Sequence, residues 1–437
     1  MHDGGPVRPT RPTQGARRRV RLALVALVAA VALAGCEAGV VDKVNGVRTT
    51  GGLATLATST ILRDAARAHS SAMCAAGAPV ASADPAETYD QETAAAVHEL
   101  VGSAPLDPAI ADWGQRNGAA TNAIWAGWRD DPALGDPRWD DIGVGELECS
   151  DGRLYLTAVL RDAPSVPASG RYASAQYTAA QIQTIAELKY GQAIGYQGTM
   201  QDLLLDVFLP PGPASTPRPT IVLIHGGAFA GGDRSSVGGV ARSWAMRGYV
   251  AVAIGYRLDP RLAQSPWPPG VTPLTAAAKA IDDGMESIRW LKANATTYGI
   301  DPTRVATVGY SAGGAISLGI AVATDTTPGG PLAAQSPSVA AAVSTGAQLT
   351  PGIDAGVLTF EPTDAPVLMF HHETDAASGT GEYAMRTCAA VRAGGSTCDF
   401  VLQPGDGHTT DLDPASYWWS SELGPFVWTQ LRLASAG

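Results

Sequence analysis

Charge is what this sequence has least of. Asp, Glu, Lys and Arg make up 16% of its 437 residues against 45% apolar, a balance that excludes a disordered or solvating chain. A basic excess is missing as well. The formal net charge is −11, which argues against a nucleic-acid surface. After residue 35 no run approaches the ~20 apolar residues of a membrane span. No internal repeat is visible, and fifty Gly with thirty-one Pro keep no collagen-like period, so a fibrous chain is excluded. Cysteine is scarce and odd in number, five in all. What is there is a length beyond one compact domain, so two domains are expected.

At the start, Arg17, Arg18, Arg19 and Arg21 precede an apolar run from Leu22 to Leu33. A positive head, a short apolar segment and small residues read as a secretory signal over residues 1–35. Leu33-Ala34-Gly35-Cys36 resembles the lipobox of bacterial lipoproteins. That resemblance implies cleavage before Cys36, acylation of its thiol, and an exported protein lipid-anchored on the extracytoplasmic face of the cell membrane. Free release and a retained anchor are the other readings. Loss of residues 1–35 removes six Arg and one Asp, so the net charge deepens from −11 to −16. Attachment to anionic lipid would then have to come from acyl chains. Four cysteines remain for an oxidising compartment. Cys74 with Cys149 and Cys388 with Cys398 are the natural local pairs, although three connectivities are open.

Composition shifts divide the remainder. Residues 41–162 are Ala-rich with helical periodicity and close on strand-like Arg153–Leu160. The Pro/Ser/Gly segment that follows reads as a linker over 163–181. From 182 to 437, short β-like runs (Leu203–Leu209, Thr220–Ile224, Val250–Ile254, Val305–Val308, Val367–Phe370) alternate with helical stretches such as Ala276–Asn294 and Ala312–Ala323. That alternation predicts an α/β domain with a mostly parallel sheet flanked by helices.

Three segments of this second domain carry chemistry. Val305–Val308 leads into Gly309-Tyr310-Ser311-Ala312-Gly313 and then a helix. A Gly-x-Ser-x-Gly in that setting is a nucleophile elbow, which lifts Ser311 Oγ clear of the sheet. Upstream, Thr220–Ile224 runs into His225-Gly226-Gly227-Ala228. Gly226 or Gly227, together with the N–H of Ala312, would form an oxyanion hole. His225 reads as a loop-positioning residue. The general base and its orienting acid must follow in the order Ser, acid, His. Asp375 stands just past strand-like Val367–Phe370, and His408 follows Val401–Gly407. Glu373 and Asp406 are rival acids. His371 and His372 read as packed or pocket-lining. Pro266-Trp267-Pro268-Pro269 and Tyr417-Trp418-Trp419 either line a pocket or pack elsewhere.

These motifs, with Asp202–Pro210, Asp282-Asp283-Gly284 and Ile288–Pro302, resemble α/β-hydrolases of the esterase/lipase type, close to carboxylesterases and hormone-sensitive-lipase-like enzymes. The resemblance implies Ser311 as nucleophile, His408 as general base and acid, and Asp375 as orienter. It implies hydrolysis of a small-molecule or lipid ester through an acyl-enzyme, with no cofactor. Ala228 replaces the third Gly that many relatives carry. An amidase or formamidase on the same scaffold, and a catalytically inactive binding lipoprotein, are the alternatives.

In the first domain, Val44–Arg48, Leu62–Met73, Asp136–Gly145 and Arg153–Tyr155 resemble the CAP superfamily (cysteine-rich secretory, antigen 5, pathogenesis-related). This implies an α-β-α sandwich. The His/Glu cleft of that family is poorly matched: Asp130 stands at its late His position, and only His98, Glu99 and Glu146 are near. No metal is expected there.

Overall fold

The computed structural model describes residues 37–83, 85, 96–162, 166, 169–323 and 331–435. The expected signal over 1–35 and Cys36 lie outside the described residues. The chain divides after Asp162 into two units.

In the first unit, strands β1 (Ala57–Thr58), β2 (Val97–Pro105), β3 (Asp141–Glu148) and β4 (Arg153–Arg161) form one sheet in the order β1-β3-β4-β2. β3 is buried on both faces, and its alternation explains how. Gly143 and Gly145 face helix α2 (Thr60–Ala76), where an added Cβ would lie 2.2 and 2.1 Å from helix backbone atoms. Only Gly permits that approach. Ile142 and Val144 turn the other way. They pack with Val40 and Val44 of helix α1 (37–50) and with Ala120, Ile124 and Trp128 of helix α3 (Trp113–Trp128). The result is a helix–sheet–helix sandwich.

Local chemistry closes its elements. Ser59 caps α2 by accepting from the Leu62 N–H, and Gly77 ends the helix in the left-handed region. Buried Arg48 donates to the carbonyls of Ala54, Asp136 and Trp139, tying α1 to the turn before β3. Cys74 and Cys149 are disulfide-bonded, joining α2 to the end of β3. His98 and Glu99, neighbours on β2, point to opposite faces. The His98 ring lies near Asp131 and Trp139, whereas Glu99 accepts from Ser82. Among the described residues, no group of three or more His, Cys, Asp or Glu is placed to hold a metal ion.

The second unit contains strands β5 (Gln183–Ile194), β6 (Met200–Leu209), β7 (Arg218–Ile224), β8 (Val250–Ile254), β9 (Ile300–Tyr310), β10 (Ala341–Thr345), β11 (Val367–Thr374) and β12 (Cys398–Asp406). They form a sheet in the order β12-β11-β10-β9-β7-β8-β6-β5. Pairing is parallel from β12 to β8, and β6 and β5 add antiparallel at one edge. β7, β8 and β10 are buried along their whole length, as a sheet covered on both faces requires. The cover includes helices α4 (Gly238–Met246), α5 (Pro273–Ala293), α6 (Ala312–Val322), α7 (Gly381–Ala393) and α8 (Gly424–Gln430).

Strand order reverses at β7, which pairs with both β8 and β9. A crevice at the carboxyl ends of the strands is expected there. Asp283-Gly284 serves this packing. Asp283 accepts from the backbone and side chain of Arg257, holding the loop after β8 to α5. A Cβ at Gly284 would come 2.7 Å from Ile320 of α6. Cys388 of α7 is disulfide-bonded to Cys398 of β12.

The expected linker departs from expectation over its second half. Tyr172 is buried, its N–H donating to the Arg247 carbonyl and its ring packing on Tyr249. The carbonyl of Ala173 accepts from the Trp419 indole. Two apolar anchors therefore fold this segment onto the second unit despite its Pro/Ser/Gly composition.

Candidate active site

Ser311 sits between β9 and α6 with φ 55° and ψ −120°, a left-handed conformation rare for a residue with a side chain. Its neighbours explain how the turn closes. An added Cβ would lie 2.0 Å from the Gly313 carbonyl at Gly309, and 2.2 Å from the Ile224 carbonyl at Gly313. Both positions demand Gly. The Ser311 N–H donates to the Thr345 carbonyl at the end of β10, fixing the turn to the neighbouring strand.

His408 arrives in the loop after β12. The Thr410 N–H donates to Thr345 Oγ1, and the loop crosses Gly346 so closely that a Cβ there would meet the His408 carbonyl at 2.1 Å. His408 Nε2 is then 2.7 Å from Ser311 Oγ, and Nδ1 is 2.8 Å from Asp375 Oδ2. A carboxylate can only accept, so Nδ1 carries the proton. Nε2 is left with the lone pair that receives the Ser311 hydroxyl.

Asp375, at the end of β11, is buried. Burial opposes its charge, but hydrogen bonds from Ser378 Oγ, His408, and the N–H groups of Ala377 and Ser378 outweigh it. The carboxyl is held below its ordinary range. The rival acids point elsewhere. Glu373 accepts from the Gly405 N–H, and Asp406 accepts from Thr374 Oγ1.

On the other side of Ser311 lies the Gly226–Ala228 loop. A Cβ at Gly226 would stand 2.9 Å from the Tyr310 carbonyl and 3.1 Å from Ser311 Cβ. Gly227, Ala228 and Phe229 all have positive φ (125°, 53° and 60°), which curls the loop over the serine. Ala312 begins α6, so its N–H belongs to the unsatisfied first turn of a helix. Buried His225 is stacked 4.4 Å from Tyr256, and its Nδ1 contacts the Gly226 carbonyl. Burial lowers its pKa, and it takes no part in the line from Ser311 to Asp375.

Ser311 and His408 open into a cavity of about 880 Å³. Its wall is mostly apolar, with Leu274, Ala277 and Ile281 from α5, Leu349 and Leu358 from the segment after β10, and Phe229. Neither aromatic cluster lines it. Trp267 is half exposed and bonded to the Leu262 carbonyl, Trp418 packs on Phe370, and Trp419 packs on Trp244.

Ser378 was not singled out by sequence reasoning. Its hydroxyl lies 2.5 Å from Asp375 Oδ2 and 3.2 Å from Nε2 of buried His371. The available signal was the Asp-x-x-Ser spacing of a side-chain-closed turn, common enough to pass unnoticed.

Residues 205–364 match the BD-FAE family. The chain is similar to carboxylesterase NlhH of Mycobacterium tuberculosis, 34% identical over 145 residues, which cover 33% of this chain and 41% of that one. It is also similar to esterase LipI of the same organism, 32% identical over 117 residues, covering 26% of this chain and 32% of that one. The chain therefore spans less than half the length of these curated relatives. Among solved structures, esterase 2 of Thermogutta terrifontis bound to paraoxon's phosphoryl group aligns at 20% identity with a TM-score of 0.43, over 59% of this chain and 93% of that one. Sheet order, the turn at Ser311 and the family match at 205–364 together make the C-terminal unit an α/β-hydrolase-fold domain.

Proposed function

We propose that the protein is a serine carboxylic-ester hydrolase. The observation that carries the reading is the hydrogen-bonded line Ser311–His408–Asp375 opening into an apolar cavity. Ser311 Oγ attacks the ester carbonyl while His408 Nε2 takes its proton, and Asp375 stabilises the imidazolium that forms. The N–H groups of Gly226 or Gly227 and of Ala312 hold the oxyanion. His408 returns the proton to the leaving alkoxide, and water repeats the sequence on the acyl-enzyme.

The substrate is an ester with an apolar part, in keeping with the wall around Ser311. The protein is exported and anchored by acylated Cys36, and the first unit is a CAP-like module that positions the hydrolase without catalysing. Its helix–sheet–helix layering supports the CAP-like part of that reading alone.

Ser311→Ala is expected to abolish p-nitrophenyl acetate hydrolysis while circular dichroism stays unchanged. Undiminished turnover in a folded variant would reject Ser311 as nucleophile.

A further inference from the structure

The buried imidazole of His371 has no place in the mechanism above, yet its Nε2 stands 3.7 Å from Asp375 Oδ2, with the Ser378 hydroxyl bridging the two. Three contacts define its state. Nδ1 lies 2.9 Å from the His372 carbonyl, and a carbonyl can only accept, so Nδ1 carries a proton. Nε2 lies 3.2 Å from Ser378 Oγ. That same oxygen is 2.5 Å from Asp375 Oδ2, on a carboxylate that also receives His408 Nδ1. Asp375, His372 and His408 are the titratable groups acting on the His371 ring. Burial lowers the His371 pKa, favouring a neutral ring with a bare lone pair at Nε2.

Ser378 therefore has one proton and two acceptors, the Asp375 carboxylate and the His371 lone pair. We propose that Ser378 and His371 are positioning residues that set how much negative charge Asp375 presents to His408. When the hydroxyl donates to Asp375 it draws charge from the carboxylate, and the hydrogen bond to His408 weakens. When it turns toward His371, the carboxylate is released and that bond strengthens. No covalent bond is made or broken; Ser378 stands in the cavity wall, and buried His371 lies behind it. The inference rests on the proposed hydrolase reading for its meaning, but it can be tested without turnover.

Two substitutions separate this arm from simple scaffolding because they push in opposite directions. Ser378→Ala removes the donor, leaving Asp375 with its full charge for His408. His371→Phe removes the competing acceptor, so the hydroxyl commits to Asp375. The direct readout is the low-field proton resonance of His408 Nδ1–H, assigned by its loss in Asp375→Ala. It is expected to move further downfield in Ser378→Ala and upfield in His371→Phe. The acid limb of kcat/KM should follow, moving by about half a pH unit toward higher pH in the first and lower pH in the second.

Ser378→Thr, which retains the hydroxyl, should restore the wild-type resonance. His371→Leu, which offers no acceptor to Ser378 Oγ, should behave as His371→Phe does and serves if the Phe variant does not fold. An unmoved resonance in folded Ser378→Ala and His371→Leu, or displacement of both in one direction, would overturn the proposal. A wild-type protein that hydrolyses no ester but shows the opposed shifts would overturn the hydrolase reading alone.

Discussion

Ser311 holds its backbone at φ 55° and ψ −120°, and its side chain is not the reason it can. The turn is imposed by the close passage of Gly309 against Gly313, and of Gly313 against the end of β7. A non-Gly residue in such a region costs roughly 1–3 kcal/mol. Ser311→Gly should therefore abolish hydrolysis and also raise stability by about 1 kcal/mol, or ~2–4 °C in Tm for a unit of this size. Ser311→Ala should leave Tm near wild type because it keeps the strained backbone. Calorimetry of the three proteins checks this; a Gly variant no more stable than Ala would mean the turn carries no strain. At this scale the proposed nucleophile is easy to read, because its chemistry and its Gly spacing share five consecutive residues. Ser378 is not, because its role depends on a histidine seven positions earlier that only the fold brings beside it.

Between elements, what the sequence shows depends on how each element is covered. β7 and β8 are buried on both sides and read as unbroken apolar runs. β5 lies at the antiparallel edge with more than half its residues exposed and two irregularities in its register, so its periodicity is weak. The segment around Tyr172 looks like a linker because composition outweighs two buried side chains in any window average.

In the first unit, α1, α2 and β3 meet at a charge imbalance that no local pattern reveals. Glu37 is paired with Arg67, while nearby Glu146 is buried with neither carboxyl oxygen bonded. Burial, then the charge of Glu37, pushes Glu146 up to about 8. An unfolded chain ionises this group near pH ~4.3, whereas the folded chain keeps its proton until about pH 8. Its contribution is thus fully present below the unfolded value and is lost as pH rises through the folded one. Each pH unit of displacement is worth ~1.4 kcal/mol, so the loss amounts to a few kcal/mol. Glu146→Gln, which has no proton to lose, should be markedly more stable than wild type at pH 8.5 and little different at pH 4. Urea unfolding at both values tests this, and an equal difference at the two would reject it.

For the whole molecule, the proposed lipid modification would hold an acidic chain at a membrane through the single residue Cys36. With residues 1–35 removed the net charge is −16, and anionic lipid repels it. Cys36→Ser should abolish incorporation of a labelled fatty acid into the protein while leaving ester hydrolysis per molecule unchanged. Undiminished labelling of that variant would assign the lipid elsewhere. The two-domain division was visible in composition, whereas the assembly of the site was visible only as an order of residues along the chain.

That assembly has a consequence in time. Ser311 and His408 are 97 residues apart, and the contact between them depends on β10, β11 and β12 having joined β9. A chain caught before those pairings holds all the reactive groups and none of their alignment, and non-local pairings of this kind are slow to form. The proposed hydrolysis would therefore report that β9 to β12 have all paired, a step that the presence of the reactive side chains alone does not reveal.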